Sequence, residues 1–366
     1  MRKGFVGILV ISLMLFTVVL GGTAVAKKNF SVIIVTDVGG LGDKSFNDAG
    51  WLGVQMAVKK LGIKGKFIQS MQQTDYITNL SLAAQSANVV VALGFLMADA
   101  TKKVAPLFPH TKFILIDFPV KGIPNLATYL FKAGQSAYLA GIVASAVTKT
   151  KKLGVLQGMA IPPVVAYTAG FRCGVKTWNA ATGDHVSVIV KTAGEFNDPA
   201  KGKELTMAMF GQGADIVFNV AGNTGTGIFE AVKAMNKKAG ITPEDAKAGK
   251  RPKYFAIGVD MNQDWVVPGE VLTSALKVIP NVVFEAIKEA YEGKLKGGVH
   301  VVGYTEGASG ITDMKYTKQF VPKKALDMLK KAESLMKKNA KALDFPPFVK
   351  NDVEFAKNWQ VPASMK

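Results

Sequence analysis

Polar and aromatic residues gather just beyond the ends of short β-branched runs, where a bound molecule could be held. Asp37 ends the run Val32–Thr36, Asp117 ends Phe113–Ile116, and Asp260 ends Phe255–Val259. Ser45-Phe46-Asn47 stands in the loop after the first run, and Glu195-Phe196-Asn197-Asp198 follows Val188–Thr192. Gly222 follows Val217–Ala221, and Thr273-Ser274 and Lys277 lie on or after the last run. Carboxylates accept hydrogen bonds, rings stack on flat ligands, and backbone N–H groups at a helix start such as Gly222 bind ligand oxygens. Each residue type also has a plainer use. Phenylalanine is usually core, and aspartate caps helices or forms turns.

Catalytic signatures are scarce. His110, His185 and His300 are the three histidines, and none has a carboxylate-rich motif nearby. The stretch Gly39-Gly40-Leu41-Gly42-Asp43-Lys44-Ser45 lacks the glycine immediately before the lysine that a phosphate-binding loop needs. Gly222-Asn223-Thr224-Gly225-Thr226-Gly227 misses the dinucleotide glycine spacing. A single cysteine, Cys173, allows neither an intramolecular disulfide nor a cysteine-based zinc cluster. These readings leave binding without catalysis, metal or cofactor.

The elements that must position these residues alternate. Ten strands are expected, at 32–36, 67–70, 89–93, 112–116, 126–131, 153–156, 186–191, 215–220, 254–259 and 271–276. Helical patterns fill most gaps, at 48–61, 79–87, 98–107, 135–147, 164–178, 202–210, 226–239 and 280–291. This order predicts parallel sheets covered on both faces, and ten strands exceed one ordinary open sheet. The predicted fold is therefore α/β with two lobes and a ligand cleft facing the strand carboxyl ends. The order restarts near 118–133, and 258–273 reads as a second passage. The lobes are expected at 27–122 plus about 270–300, and at 123–269 plus about 301–366. The patch 240–253 reads as a surface loop.

Residues 1–26 read as a signal peptide: Arg2 and Lys3, an uncharged apolar run Ile8–Leu20, then Ala24-Val25-Ala26 before Lys27-Lys28. The run is short against the roughly 20 residues that span a bilayer. Cleavage, export and a soluble product are expected, with a retained anchor as the alternative. The formal charge of +18 falls to +16 without Arg2 and Lys3. The remaining lysines are spread over helices; the densest stretch, Lys323–Lys341, carries Leu326, Leu329, Leu335 and Met336 at helical spacing. That is an amphipathic helix with a solvated basic face, not a nucleic-acid site.

Thr36-Asp37-Val38-Gly39-Gly40, Asp43-Lys44-Ser45-Phe46-Asn47 and Trp51-Leu52-Gly53 strongly resemble the opening of the Basic Membrane Protein family. The resemblance continues through Gly94-Phe95, Phe113–Asp117, Tyr138-Leu139-Ala140-Gly141, Gly170-Phe171, Gly174-Val175-Lys176, Gly222–Gly227, Gly258-Val259-Asp260 and Thr273-Ser274, covering about residues 31–298. It implies a type I periplasmic-binding-protein fold and a purine nucleoside receptor (guanosine, inosine, adenosine) serving an ABC transporter permease. It also implies the site. Phe46 and Phe196 would sandwich the base, Asp117 would hold the purine edge, and Asp260 would accept ribose hydroxyls. Lys277 would stand on the ribose side, with Asp37, Asn47 and Gly222 completing the pocket. The chain departs from the family pattern at Gly42, where many members have aspartate, and in a signal region without a cysteine to lipidate. A free, monomeric, unlipidated protein on the outer side of the cytoplasmic membrane is expected. The alternatives are the same fold with a sugar, amino acid or flavin, a nucleoside-acting enzyme, or an adhesin.

Overall fold

A computed structural model describes residues 29–338 and 341–366; the expected signal peptide lies outside them. The strands are β1 (Ser31–Thr36), β2 (Lys64–Gln69), β3 (Val89–Leu93), β4 (Lys112–Ile116), β5 (Leu126–Phe131), β6 (Lys152–Gln157), β7 (Ser187–Thr192), β8 (Ile216–Val220), β9 (Phe255–Asp260), β10 (Val271–Lys277), β11 (Gly298–Val302) and β12 (Ser309–Ile311). The helices are α1 (Phe46–Leu61), α2 (Tyr76–Ser86), α3 (Ala98–Val104), α4 (Gly134–Val147), α5 (Pro162–Thr182), α6 (Pro199–Gly211), α7 (Thr226–Lys238), α8 (Pro243–Lys247), α9 (Ile279–Tyr291), α10 (Lys323–Lys337) and α11 (Asp352–Asn358).

Two six-stranded sheets result, in the orders β11-β5-β4-β3-β1-β2 and β12-β10-β9-β8-β6-β7. Every strand pair is parallel except β10 with β12. Parallel strands covered on both faces must be apolar on both, and alternate residues feed opposite layers. Val32 and Ile34 join the layer beneath α1 and α9, while Ile33 and Val35 join the layer beneath α2 and α3. In the second sheet Ile216 and Phe218 face α4 and α5, and Val217 faces α6 and α7.

The lobe boundaries differ from those read in the sequence. β5 pairs with β4 and completes the first sheet, while β10 pairs with β9 in the second. The chain therefore passes between lobes after Phe131, after Lys277 and again after Val302, not at 122 and 269. The turn residues Gly122 and Pro124 mark an ordinary crossover inside the first lobe. β11 and β12 were not expected. β11 is a half-exposed edge strand and β12 has only three residues, so neither carries a strong apolar pattern. The patch 240–253 contains the short α8, whose capping box pairs Thr242 with Asp245.

The motif glycines of α4 and α5 have a packing role. A Cβ on Gly174 would lie 2.2 Å from the Tyr138 carbonyl oxygen, and one on Gly141 would lie 2.4 Å from that of Phe171. The two helix backbones touch there, so neither position accepts a side chain without moving a helix.

Candidate functional site

The carboxyl ends of both sheets face one another across a cleft, the place where open α/β sheets take their ligands. Between them lies a cavity with about 580 Å³ of empty space, part of it continuous with solvent. Asp37, Phe46, Asn47 and Asp117 line it from the first lobe, and Phe196, Gly222, Asp260 and Lys277 line it from the second. The eight residues that the family resemblance implies for the pocket thus meet at one place.

The first-lobe wall is a network of buried acceptors. Asp43 is fully buried and accepts hydrogen bonds from the backbone N–H groups of Ser45 (2.9 Å), Asn47 (2.8 Å) and Asp48 (3.1 Å). It caps α1 in place of Ser45, whose side chain makes no capping bond. Burial pushes the Asp43 carboxyl up to about 7 against these donors. The Asn47 amide donates to Asp37 Oδ1 (3.0 Å) and Asp43 Oδ2 (3.3 Å). That fixes its orientation, because a flipped amide would set oxygen against two carboxylates. Its own Oδ1 is left buried without a protein partner. Asp37 also accepts from Gly39 N–H at 2.9 Å, and burial raises its pKa.

Hydrogen bonds cross the cleft. Asp260 Oδ2 accepts from Ser45 Oγ of the opposite lobe at 2.8 Å, and its Oδ1 accepts from Tyr167 Oη on α5 at 2.8 Å. Gln263 Nε2 donates to the Lys44 carbonyl across the same gap at 2.9 Å. Lys277, at the end of β10, forms an ion pair with Asp117, at the end of β4; their side chains are 3% and 7% exposed. The Lys277 ammonium also stands 4.9 Å from the centre of the Phe46 ring and 5.2 Å from that of Phe131. Burial raises the Asp260 pKa, and Lys277 opposes the rise. The lobes are therefore closed upon one another.

Backbone strain is concentrated here. Five described residues other than glycine have positive φ, and three of them, Lys44 (54°), Asp117 (71°) and Asp260 (61°), stand at the cleft. Each sits in the left-handed region, which costs a residue with a Cβ about 1 kcal/mol or more. The turn after β4 and the end of β9 thereby aim their carboxylates inward. The aromatic walls are set by small neighbours. A Cβ on Gly158 would meet the Phe196 ring at 2.2 Å, and one on Gly94 would meet Phe46 Cε1 at 3.4 Å.

Several lining residues were missed. Tyr167 reads in sequence as one more core aromatic on α5, yet its hydroxyl orients Asp260. Ile161, Pro163 and Val164 form the wall after β6. Gly94 and Phe95 line the cavity after β3 in the same way, so the rule that ligands meet strand carboxyl ends points to Leu93 and Gln157 as well. Thr273 and Ser274 lie within β10 and do not line the cavity; Ser274 Oγ instead binds Asp264 at 3.0 Å.

Residues 30–342 match the family described as Bmp, ABC transporter substrate-binding protein PnrA-like. The chain belongs to the Bmp family. Among its relatives is the ABC transporter nucleoside-binding protein BmpA of Lactococcus lactis subsp. cremoris. It is 32% identical over 305 residues, which are 80% of this chain and 83% of that protein. An uncharacterized lipoprotein of Pyrococcus horikoshii is 33% identical over 299 residues, 80% of this chain and 71% of the relative. The crystal structure of an ABC transporter solute-binding protein from Aeropyrum pernix K1 superposes with a TM-score of 0.78 at 28% identity. It covers 86% of this chain and 95% of that one. This Bmp-family chain is thus an ABC transporter substrate-binding protein with the two-lobed type I fold. No described helix is long and apolar enough to cross a membrane.

Proposed function

We propose that this Bmp-family protein binds purine nucleosides unchanged between its lobes and presents them to the permease of an ABC transporter. The observation that carries this reading is the pairing of Phe46 from one lobe with Phe196 from the other along a cavity that also holds Asp117 and Asp260. A purine offers a face to each ring, and base stacking on aromatic side chains is worth about 1–3 kcal/mol per base. Asp260 suits the ribose. Each of its oxygens takes one protein donor, and an ionised carboxylate has about four acceptor sites in all. Two remain for vicinal hydroxyls. The unpartnered Asn47 Oδ1 is a further acceptor on the wall. Acceptors therefore predominate, and they favour the N–H-bearing edge of guanosine or inosine over adenosine, whose N1 is itself an acceptor.

The nucleoside-binding relative from Lactococcus supports the same ligand class. Export by the segment 1–26 belongs to the proposal too, with cleavage after Ala26 and no lipid attached, because Cys173, the only cysteine, is buried. The Pyrococcus horikoshii relative is described as a lipoprotein, so on this point the proposal departs from it. A monomer that does not bind nucleic acid completes the reading.

Calorimetric titration with guanosine, inosine, adenosine, 2′-deoxyguanosine, guanine and ribose tests it. Guanosine should lead, and loss of the 2′-hydroxyl should cost at least about tenfold, since a buried charged acceptor is left short of a partner. Equal affinity for guanosine and 2′-deoxyguanosine would remove the ribose role of Asp260. Binding of ribose alone would replace the nucleoside reading with a sugar one.

A further inference from the structure

The family match ends at residue 342, yet the chain continues to residue 366 and folds onto the second lobe. Lys176 on α5 donates to the carbonyl oxygens of Ala356 (2.9 Å), Lys357 (3.0 Å) and Trp359 (2.6 Å), closing the end of α11. Arg172, also on α5, pairs with Asp352 at 2.5 Å. The Phe345 ring stacks on Trp359 (5.9 Å, 23°) and leans on Tyr138 of α4 (5.6 Å). Val349 packs on Val165, Ala166 and Ala169 of α5. Every one of these anchors belongs to the second lobe.

Phe348 points the other way. Its ring lies 6.1 Å from Phe95 at 86° and 6.3 Å from Phe118 at 47°, and those two rings meet each other at 5.1 Å. Phe95 follows β3 and Phe118 follows β4, so both belong to the first lobe, and Phe95 also lines the cavity. We propose that the C-terminal segment is a strap fixed to the second lobe, and that Phe348 latches the cleft shut by docking on the Phe95–Phe118 pair. The inference rests on the reading that the lobes open and close around ligand. Because the anchors move with one lobe and the aromatic pair with the other, opening must break this contact. It therefore favours only the closed form and slows release more than capture.

The test uses the full chain with Phe348→Ala, Phe118→Ala and both together; Phe118 does not line the cavity. Stopped-flow release of guanosine should quicken about three- to tenfold in either single variant, the scale of one aromatic contact. The double variant should be no faster than the singles, and the association rate should hold. Circular dichroism confirms folding. Small-angle scattering of the ligand-free proteins gives a readout independent of ligand identity, with a larger radius of gyration expected for Phe348→Ala. Wild-type release from folded Phe348→Ala, or additive effects in the double variant, would overturn the latch. Should the wild type not bind guanosine, the nucleoside reading fails by itself. The scattering then decides the latch, and equal radii overturn it.

Discussion

Replacing Lys277 by methionine tests whether the buried ion pair couples the lobes. Lys277 and Asp117 are almost fully buried and come from opposite lobes. Removing one partner of a buried pair typically costs about 3–5 kcal/mol, because the other charge is left in a low dielectric. One escape limits the loss. The lobes can open and return Asp117 to water, so the cost falls on closure and not on the folding of either lobe. Guanosine affinity should thus fall about 100-fold or more at pH 7. The melting temperature of the ligand-free variant should change little. Calorimetry and thermal denaturation give the readings. Adding Asp117→Asn should recover part of the affinity. A Lys277→Met protein with unchanged affinity, or with a loss that Asp117→Asn does not relieve, would refute the coupling.

Phe46→Ala and Phe196→Ala should each weaken guanosine binding by about tenfold or more, on the scale of one stacked face. Unchanged calorimetric affinity in folded variants would return both rings to core packing. The Asp43 carboxyl, raised to about 7 by burial, keeps a proton in the folded chain that the unfolded chain, at 3.8, releases. Stability is then fully present below about pH 4 as far as this group is concerned, and it is lost as pH rises towards 7. Urea midpoints should show Asp43→Asn to be less sensitive to pH over that window than the wild type; equal sensitivity would contradict the assignment. Expression in a Gram-negative host should yield a chain starting at Lys27 without lipid, checked by N-terminal sequencing and intact mass. Met1 retained in a membrane fraction would make the segment an anchor.

The sheets were legible because buried parallel strands announce themselves as short β-branched runs, and each run ends where ligands are met. Asp37, Asp117 and Asp260 could be picked out by that rule alone. Their partners could not. Lys277 reaches Asp117 across 160 positions, and Ser45 reaches Asp260 across 215. No local pattern carries such information. Ser45 stands at a helix start and reads as its cap, but Asp43 takes that task and frees the hydroxyl for the other lobe. The lobe passages were misplaced because glycine and proline mark turns of every kind. Gly122 and Pro124 punctuate as strongly as a hinge, while the real passage after Phe131 is a two-residue step into α4. The strap escaped notice because its residues alternate between anchoring one lobe and, at Phe348, touching the other.

The central claim is that the closed cleft holds a purine nucleoside, and mass spectrometry of small molecules released by denaturing the freshly purified protein tests it most directly. A purine nucleoside, guanosine or inosine first, should be released in near-stoichiometric amount from the wild type, and much less of it from Phe46→Ala. A sugar, amino acid or flavin recovered in its place at the same stoichiometry would contradict the account.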